Sequence, residues 1–233
     1  MKLLRITAEG LPLFKEKLDL SFYAQQRVSE EQKNILYPLF SNIYVNSATG
    51  FIGINASGKT SVLKVILLAL EILNNEPINH IESRDILGDS SQIKLNMFFY
   101  SSNTKEVCRL ETIIIAQKNK SEGIRYSIGS ESLWTKSADE VITRKAMLNF
   151  EGREPIMVRS SQEDFLSDDV SIMIARNKKT KDNMRIVNLL KYTNENVLRI
   201  SEDIPVEVIT FLDPTIEKLH FDENDNKILI HLQ

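Results

Sequence analysis

The chain has 233 residues, of which 42% are hydrophobic and 26% charged, and its net charge at pH 7 is −3. These values are typical of a globular protein and exclude the disordered and fibrous classes, and the length predicts one domain or two. The net charge provides no general attraction to nucleic acid. Basic runs at residues 118–120 and 176–181 leave a nucleic-acid partner open if the fold clusters them.

Targeting and membrane signals are absent from the sequence. The longest apolar run, residues 62–73, is interrupted by Lys64 and Glu71 and is too short to span a bilayer. The first ten residues, MKLLRITAEG, lack the apolar core of a secretory signal. The single cysteine, Cys108, cannot form an internal disulfide, and its strand-like surroundings predict a buried apolar role. We therefore expect a cytoplasmic protein with no membrane association.

The first third of the chain predicts a hairpin, a strand and a long helix. Residues 2–8 and 18–23 have strand character and are separated by a turn, whereas residues 24–41 look like a polar insertion. Residues 42–54 are rich in β-branched and aromatic residues and predict a strand that leads into a glycine-rich loop. Residues 61–73 contain no Gly or Pro and predict a helix, which is apolar on nearly all sides and is expected to be buried between layers.

The rest of the chain predicts a meander, a helical region and returning strands. Apolar runs at 92–100, 106–116 and 123–128 are separated by polar turns, which is typical of antiparallel strands. The pattern is helical from about residue 138 to 196, with Asp182 or Asn183 as caps for its last helix. Strand character returns in three segments: residues 206–212, 217–221 and 227–232.

One motif carries specific chemistry. Residues 53–60 read GINASGKT, which matches the phosphate-loop pattern of Gly, four residues, then Gly-Lys-Ser/Thr. Gly53 and Gly58 allow successive backbone amides to point at a polyphosphate, and the following helix N-terminus favours an anion at the same place. Lys59 is expected to reach the β and γ phosphates, and Thr60 to ligate Mg²⁺. The other candidate binding residues for ATP are Asn55, Ala56, Ser57 and Ser61.

The string GFIGINASGKTSVLK resembles the ATP-binding heads of the SMC-like branch of ABC ATPases. Within that branch it is most similar to bacterial AAA-type ATP-binding proteins of the OLD and abortive-infection kind, which are associated with phage defence. The later segment FLDPTIEKLHFDENDN resembles a stretch that those proteins carry before the second half of the head. The resemblance implies that ATP is bound between two heads, so that a second copy or a partner ATPase half would complete the site.

Other elements of such heads are not found securely. The family has an LSGG-type signature, a strand that ends in Asp-Glu, and a switch histidine. Residues 206–215 read as a strand that ends at Asp213, a candidate second magnesium ligand, but Pro214 stands where the catalytic Glu would follow. Residues 166–169 (LSDD) carry acids that would repel a γ phosphate, and they are expected to cap a helix instead.

The remaining candidate residues do not define a second site. The three histidines, His80, His220 and His231, lack metal-ligand spacing with one another or with Cys108, so no zinc site is predicted. Trp134 is expected to pack within the fold. Three glutamines are equal candidates for the residue that senses the γ phosphate in such heads: Gln92, Gln117 and Gln162.

We therefore expect an α/β P-loop NTPase of the ABC/SMC-head kind, with a mixed sheet, an antiparallel β meander and a helical subdomain. Its expected parts are a nucleotide-binding lobe at residues 1–135, a helical subdomain at 136–200 and return strands at 201–233 of one truncated head. The expected function is binding of ATP and Mg²⁺ in phage defence or DNA maintenance. Hydrolysis by the chain alone is left open, because no base for the attacking water is visible.

Two alternatives to a self-contained ATPase head remain open. The first is a nucleotide-gated interaction module that controls an effector nuclease or toxin. The second is a P-loop kinase, for which the lid arginines would come from a scattered set: Arg153, Arg159, Arg176 and Arg185. A GTPase is disfavoured because the chain has no Asn/Thr-Lys-x-Asp element after the loop.

Overall fold

The computed structural model describes residues 1–54, 58–119, 123–141, 143–159, 166–186, 216–222 and 227–232. The chain divides into two compact units, Met1–Met184 and Arg185–Gln233, and each is described by itself. The predicted division at residues 135 and 200 stays a prediction. No helix in the described ranges combines the length and the apolar character that a membrane crossing requires.

In chain order the first unit contains β1 (Lys2–Glu9), β2 (Leu18–Ser21), α1 (Glu30–Lys33), β3 (Leu36–Phe40), β4 (Ile43–Asn46), α2 (Lys59–Leu73), the 3-10 helices Ile78–His80 and Glu82–Leu87, β5 (Ile93–Ser101), β6 (Glu106–Asn119), β7 (Gly123–Ser137), the 3-10 helix Ala138–Glu140, α3 (Arg144–Met147), β8 (Met157–Val158) and α4 (Met173–Thr180). The second unit contains β9 (Ile216–Asp222) and β10 (Lys227–Leu232).

The first unit is built on one six-stranded sheet with the order β2-β1-β5-β6-β7-β8, in which every pair is antiparallel. The predicted N-terminal hairpin and the predicted meander are both confirmed, because β1 pairs with β2 and β5 to β7 pair in succession. The molecule is therefore a mixed α/β protein with an antiparallel sheet. The parallel component of the expected mixed sheet does not occur among the described strands.

The sheet has a hydrophobic core on each face, which explains why nearly every residue of β5 is buried. On one face, Leu95, Met97 and Phe99 pack with the buried side of α2 and with the 3-10 helices that follow it. On the other face, Phe98 and Tyr100 pack with residues of β4, α3 and Phe150. Because strand side chains alternate between faces, one strand supplies both cores.

Cys108 is fully buried on the α2 face, as its strand-like surroundings predicted. Burial raises the pKa of its thiol to about 12. Trp134 also packs as expected, since its indole Nε1 donates to the carbonyl of Arg153 at 3.1 Å and its ring lies beneath the Arg109 guanidinium. The buried thiol of Cys108 is therefore not placed to act as a nucleophile.

The predicted strand 42–54 is wrong in its extent. β4 ends at Asn46 and pairs antiparallel with β3, which lies in the segment expected to be an insertion. The hydroxyl of Ser47 donates to the carbonyl of Ile35 at 2.6 Å, which directs the chain away from the β3–β4 pair. Residues 47–53 then form no strand, although Thr49, Phe51 and Ile52 favour one, so the chain approaches the loop as irregular backbone.

The helix predicted at residues 61–73 is confirmed as α2, but its expected burial on all sides is wrong. Its fully buried residues recur at the three- and four-residue spacing of a single helical stripe: Val65, Leu68, Ala69, Ile72 and Leu73. Leu63 on another side is 44% exposed. The six-stranded sheet covers only one face of a helix, so α2 is an amphipathic surface helix despite its apolar sequence.

The predicted helical region at 138–196 is helical only in part. Within it the structure describes the short helices α3 and α4, one 3-10 helix and the two-residue strand β8. Lys181 has a φ of 56° and ends α4, and residues 182–186 have no helical structure, so the helix expected to begin at Asp182 or Asn183 does not start there. Residues 187–200 lie outside the described residues.

The second unit contains one described element, the antiparallel hairpin of β9 and β10. It matches the strands predicted at residues 217–221 and 227–232. The strand predicted at 206–212 lies outside the described residues, as does Asp213.

Candidate functional site

The glycine-rich segment is placed at the N-terminus of α2. Gly58 is the N-cap residue of α2, and its φ of 84° lies in the left-handed region that glycine adopts readily. Lys59 is the first residue of the helix, as a phosphate loop requires. Gly53 and Ile54 are described on the other side of the loop. Asn55, Ala56 and Ser57, which the sequence predicts as loop residues, lie outside the described residues.

The N-terminus of α2 has no side-chain cap, because its N-cap residue is a glycine. The backbone carbonyl of Gly58 accepts from the amide of Val62 at 2.9 Å, which is the first hydrogen bond of the helix. The amides of residues 59–61 therefore have no acceptor within the helix. No acidic residue lies in the first turn. The amides of Lys59, Thr60 and Ser61 therefore present the positive end of the helix dipole to the loop, which is the electrostatic arrangement that binds an anion.

The side chain of Lys59 reaches back to residues 53 and 54. Its ammonium donates to the carbonyl oxygen of Gly53 at 2.8 Å and to that of Ile54 at 2.7 Å. These two bonds hold the positive charge between the start of the loop and the start of the helix. An ammonium has three donors, so a third donor exists beyond these two bonds for an oxygen of a ligand.

The candidate magnesium ligands are Thr60 and Asp213, and the structure describes Thr60. Thr60 is exposed, so its hydroxyl is accessible to a metal ion. The described residues contain no group of three or more His, Cys, Asp and Glu side chains that could hold a metal by themselves. A magnesium ion at Thr60 would therefore need phosphate oxygens and water as its other ligands. Asp213, the candidate second ligand, lies outside the described residues.

The other end of α2 is fixed by polar contacts with α4 and the segment after it. The Nδ2 of Asn177 donates to the carbonyl oxygen of Leu73 at 2.8 Å, which satisfies one of the free carbonyls at the helix C-terminus. The side chain of Asn74 pairs with the backbone of Met184 through two bonds of 2.6 and 2.9 Å. The helix that presents Lys59 is therefore attached to the fold at its far end.

Apolar side chains are exposed beside the loop. Ile52 is fully exposed and Ile54 is 83% exposed, whereas Leu63 on the second turn of α2 is 44% exposed. Ile52 and Ile54 lie next to or within the loop in sequence, and exposed aliphatic side chains near a polar site are able to contact another molecule.

The LSDD segment is structural, but the expectation that it caps a helix is wrong. Asp169 accepts from the Ser167 hydroxyl at 2.6 Å and from Asn79 at 3.0 Å, and Asp168 forms an ion pair with Arg125 at 2.8 Å. These contacts tie the segment to β7 and to the 3-10 helix Ile78–His80. The helix expected after it begins only at Met173, too far away for either carboxylate to cap it.

The start of α4 is instead held by Glu131, a residue that the sequence pattern did not single out. Its carboxylate is buried, and it accepts from the amide of Ile172 at 2.7 Å and from the hydroxyls of Thr112 and Ser171 at 2.8 Å each. Burial raises the pKa of Glu131 despite these donors. The alternation of β7 contains the signal, because Glu131 shares a face with the buried Leu133.

The other sequence candidates are not assembled into this site by the described residues. Gln92 is exposed immediately before β5, Gln117 is exposed near the end of β6, and Gln162 lies outside the described residues. Three of the four kinase-type arginines have structural partners instead, whereas Arg185 is exposed. Arg153 pairs with Glu140, Arg176 with Glu106 at 3.1 Å, and Arg159 donates to two backbone carbonyls.

No protein-family model matches the chain, and a search of curated proteins returned no similar sequence.

Proposed function

We propose that this chain is the ATP-binding lobe of an ABC/SMC-like ATPase head with a P-loop NTPase fold, and that it binds MgATP through residues 53–60. The observation that carries the proposal is the position of Lys59. Its ammonium lies against the carbonyls of Gly53 and Ile54, directly beside an uncapped helix N-terminus. A polyphosphate is the ligand that uses both features at once.

Charge supports a nucleotide in preference to a neutral ligand. The first turn of α2 carries Lys59 and no acid, so the dipole and the side chain add their fields at one point. The γ and β phosphates would occupy that point, with the Thr60 hydroxyl on the bridging Mg²⁺. The antiparallel strands around β5 to β7 agree with the β meander expected of such a head, and the resemblance of the loop sequence supplies the assignment to the family.

The chain alone is expected to bind ATP better than it hydrolyses it. Phosphoryl transfer needs a positioned water and a complete set of charge-stabilising groups. The sequence offers Asp213 followed by Pro214, where a catalytic Glu would be required. In the proposed function a second copy or a partner half supplies the missing groups, in a phage-defence or DNA-maintenance system of the cytoplasm.

Isothermal titration with MgATP tests nucleotide binding directly. The parent should give a saturable isotherm, and Lys59→Ala should abolish it because the ammonium is lost from the loop. Lys64→Ala is the matched control, since Lys64 lies on the same helix and pairs with Asp85 away from the loop. Equal binding by the parent and Lys59→Ala would reject the proposal.

A nucleotide-gated interaction module is the second candidate, and the exposed Ile52, Ile54 and Leu63 favour it. In this function ATP orders the apolar rim of the loop for a partner effector, and turnover is incidental. Phosphate release by the isolated chain separates the two candidates. Robust turnover that an added partner does not change would reject the module.

A further inference from the structure

A groove with a strong excess of positive charge lies on the face of the sheet opposite α2. It consists of two adjoining hollows, of about 630 and about 470 Å³, which share Arg144 as a lining residue. The first hollow lies between β1, β2 and α3, and the second lies between α1, β4 and α3. We refer to both hollows together as the basic groove.

The basic groove differs in charge from the molecule as a whole. Its ionisable lining comprises five cations and two acids, a local charge of +3 on a chain whose net charge is −3. The acids are Asp19 and Glu30, and the cations are Arg5, Arg27, Lys33, Arg144 and Lys145. Like charges gathered in a concave surface repel one another, so the arrangement costs free energy unless an anion is present.

Two of the five cations are already neutralised. Arg5 forms a bidentate pair with Asp19, with its Nε 2.7 Å from Oδ1. Lys33 pairs with Glu30 at 2.6 Å. These pairs account for both acids of the basic groove, so the three other cations supply the whole excess charge.

The three remaining cations are available to a ligand. Within the part of the chain that the structure describes, Arg27 and Lys145 are exposed and have neither an ion pair nor a side-chain hydrogen bond. Among the described residues, the guanidinium of Arg144 donates one hydrogen bond, to the backbone carbonyl of Gln25 at 3.3 Å, and its side chain lines both hollows. A guanidinium has five donors, so most of its hydrogen-bonding capacity is unused by that contact.

The neutral lining indicates the class of anion. Ser21, Gln25, Ser41 and Asn42 contribute hydroxyl and amide groups. The apolar members Ile43 and Val141 are buried in the second core, whereas Val28, Tyr23 and Tyr44 are partly exposed. Nucleic-acid interfaces are polar and positive, and tyrosine rings stack on the bases of a single strand, so this lining fits a nucleic acid.

We propose that the basic groove binds the phosphate backbone of a nucleic acid, with Arg27, Arg144 and Lys145 neutralising phosphates. Arginine and lysine contacts to phosphate position a strand without reading its bases, so the binding is expected to be independent of sequence. None of the residues that line the basic groove belongs to the loop at residues 53–60, and the proposed binding does not require ATP.

Fluorescence anisotropy with a labelled single-stranded oligonucleotide and with its duplex tests the proposal in the absence of nucleotide. Three neutralised phosphates predict a slope of log K against log salt of about −2 for the single strand and about −2.7 for the duplex. The double variant Arg27→Gln/Lys145→Gln should weaken binding at least about tenfold at low salt. It should also make the slope for the single strand less steep, by about 1.4. Neither side chain has a structural partner in the described residues, so the variant should fold.

The matched control is Lys178→Gln/Lys179→Gln, which removes the same charge from exposed positions on α4. It should bind like the parent. The proposal is overturned if the parent does not bind either oligonucleotide at about 50 mM salt, or if the control weakens binding as much as the groove variant. It is also overturned if poly-glutamate competes as well as unlabelled oligonucleotide, since an acidic protein segment would then be the ligand.

Discussion

The ammonium of Lys59 lies 2.8 Å from the carbonyl oxygen of Gly53, so the two ends of the phosphate-loop motif are joined by one hydrogen bond. A second bond to Ile54 fixes the direction of the side chain. These contacts place the cation of the first helical turn beside Gly53 and Ile54, next to the positive end of the helix dipole. This geometry supports the proposal that the loop binds a polyphosphate.

Two glycines with nearly the same left-handed backbone should respond differently to alanine. Gly58 has a φ of 84°, and a Cβ added there would meet no atom within 4 Å, whereas Gly10 has a φ of 85° and an added Cβ would lie 2.5 Å from the carbonyl oxygen of Gln92. Gly58→Ala should cost only the backbone strain, about 1 to 2 kcal/mol in the free energy of unfolding. Gly10→Ala should cost clearly more because the backbone at the start of β5 must also shift. Urea denaturation of both variants measures the difference, and equal costs would contradict it.

The buried amine of Lys136 should make the free energy of unfolding change with pH in the alkaline range. Its ammonium donates to the carbonyl of Asn149 at 2.7 Å and to that of Ala146, and burial followed by repulsion from Arg153 lowers its pKa to about 8. The unfolded chain, with an ordinary lysine pKa of 10.5, then binds more protons than the folded chain between about pH 8 and 10.5. Lys136 should therefore contribute more to stability as the pH rises through this window.

Urea denaturation of the parent and Lys136→Met at several pH values tests this sign. The difference in unfolding free energy between parent and variant should increase from pH 8 towards pH 10.5, because methionine has no proton to lose. A difference that stays constant or decreases would show that the folded protein does not lower the pKa of this lysine.

Cys108 should be unreactive in the folded protein. It is fully buried, and its thiol, with a pKa of about 12, has almost no thiolate at neutral pH. An aromatic disulfide reagent should label one thiol per chain in denaturant and react only at the rate of unfolding in buffer. Rapid labelling under native conditions would contradict the burial.

The sequence predicted the order and the starts of β5, β6 and β7, because these strands combine β-branched residues with turn signals, but β7 continues to Ser137, past the predicted end at residue 128. The same reasoning overestimated the burial of α2. Its apolar residues predict a layer on both sides, but only the stripe through Val65 and Leu68 faces the sheet, and propensity does not tell which face will be covered. The strand before the loop was overextended because Ile52 and Ile54 look strand-like in sequence, yet both are exposed in irregular backbone.

The candidate site was predictable only where a motif fixes the geometry. The spacing from Gly53 to Thr60 indicated the loop and the helix start together. The carboxylate of Glu131 and the basic groove were not predicted, because each depends on residues that are distant in the sequence. Arg5, Arg27 and Arg144 line one groove only after β1, β2, α1, β4 and α3 have packed together.

The central claim is that Lys59 and the start of α2 form a site for MgATP, and thermal melting tests it most directly. A ligand at about 100 times its Kd stabilises the folded state by about 2.7 kcal/mol, so saturating MgATP should raise the melting temperature of the parent by roughly 5 to 10 °C. The melting temperature of Lys59→Ala should not change, whereas that of Lys64→Ala should rise as in the parent. Equal shifts in the parent and Lys59→Ala, or no shift in the parent, would contradict the claim.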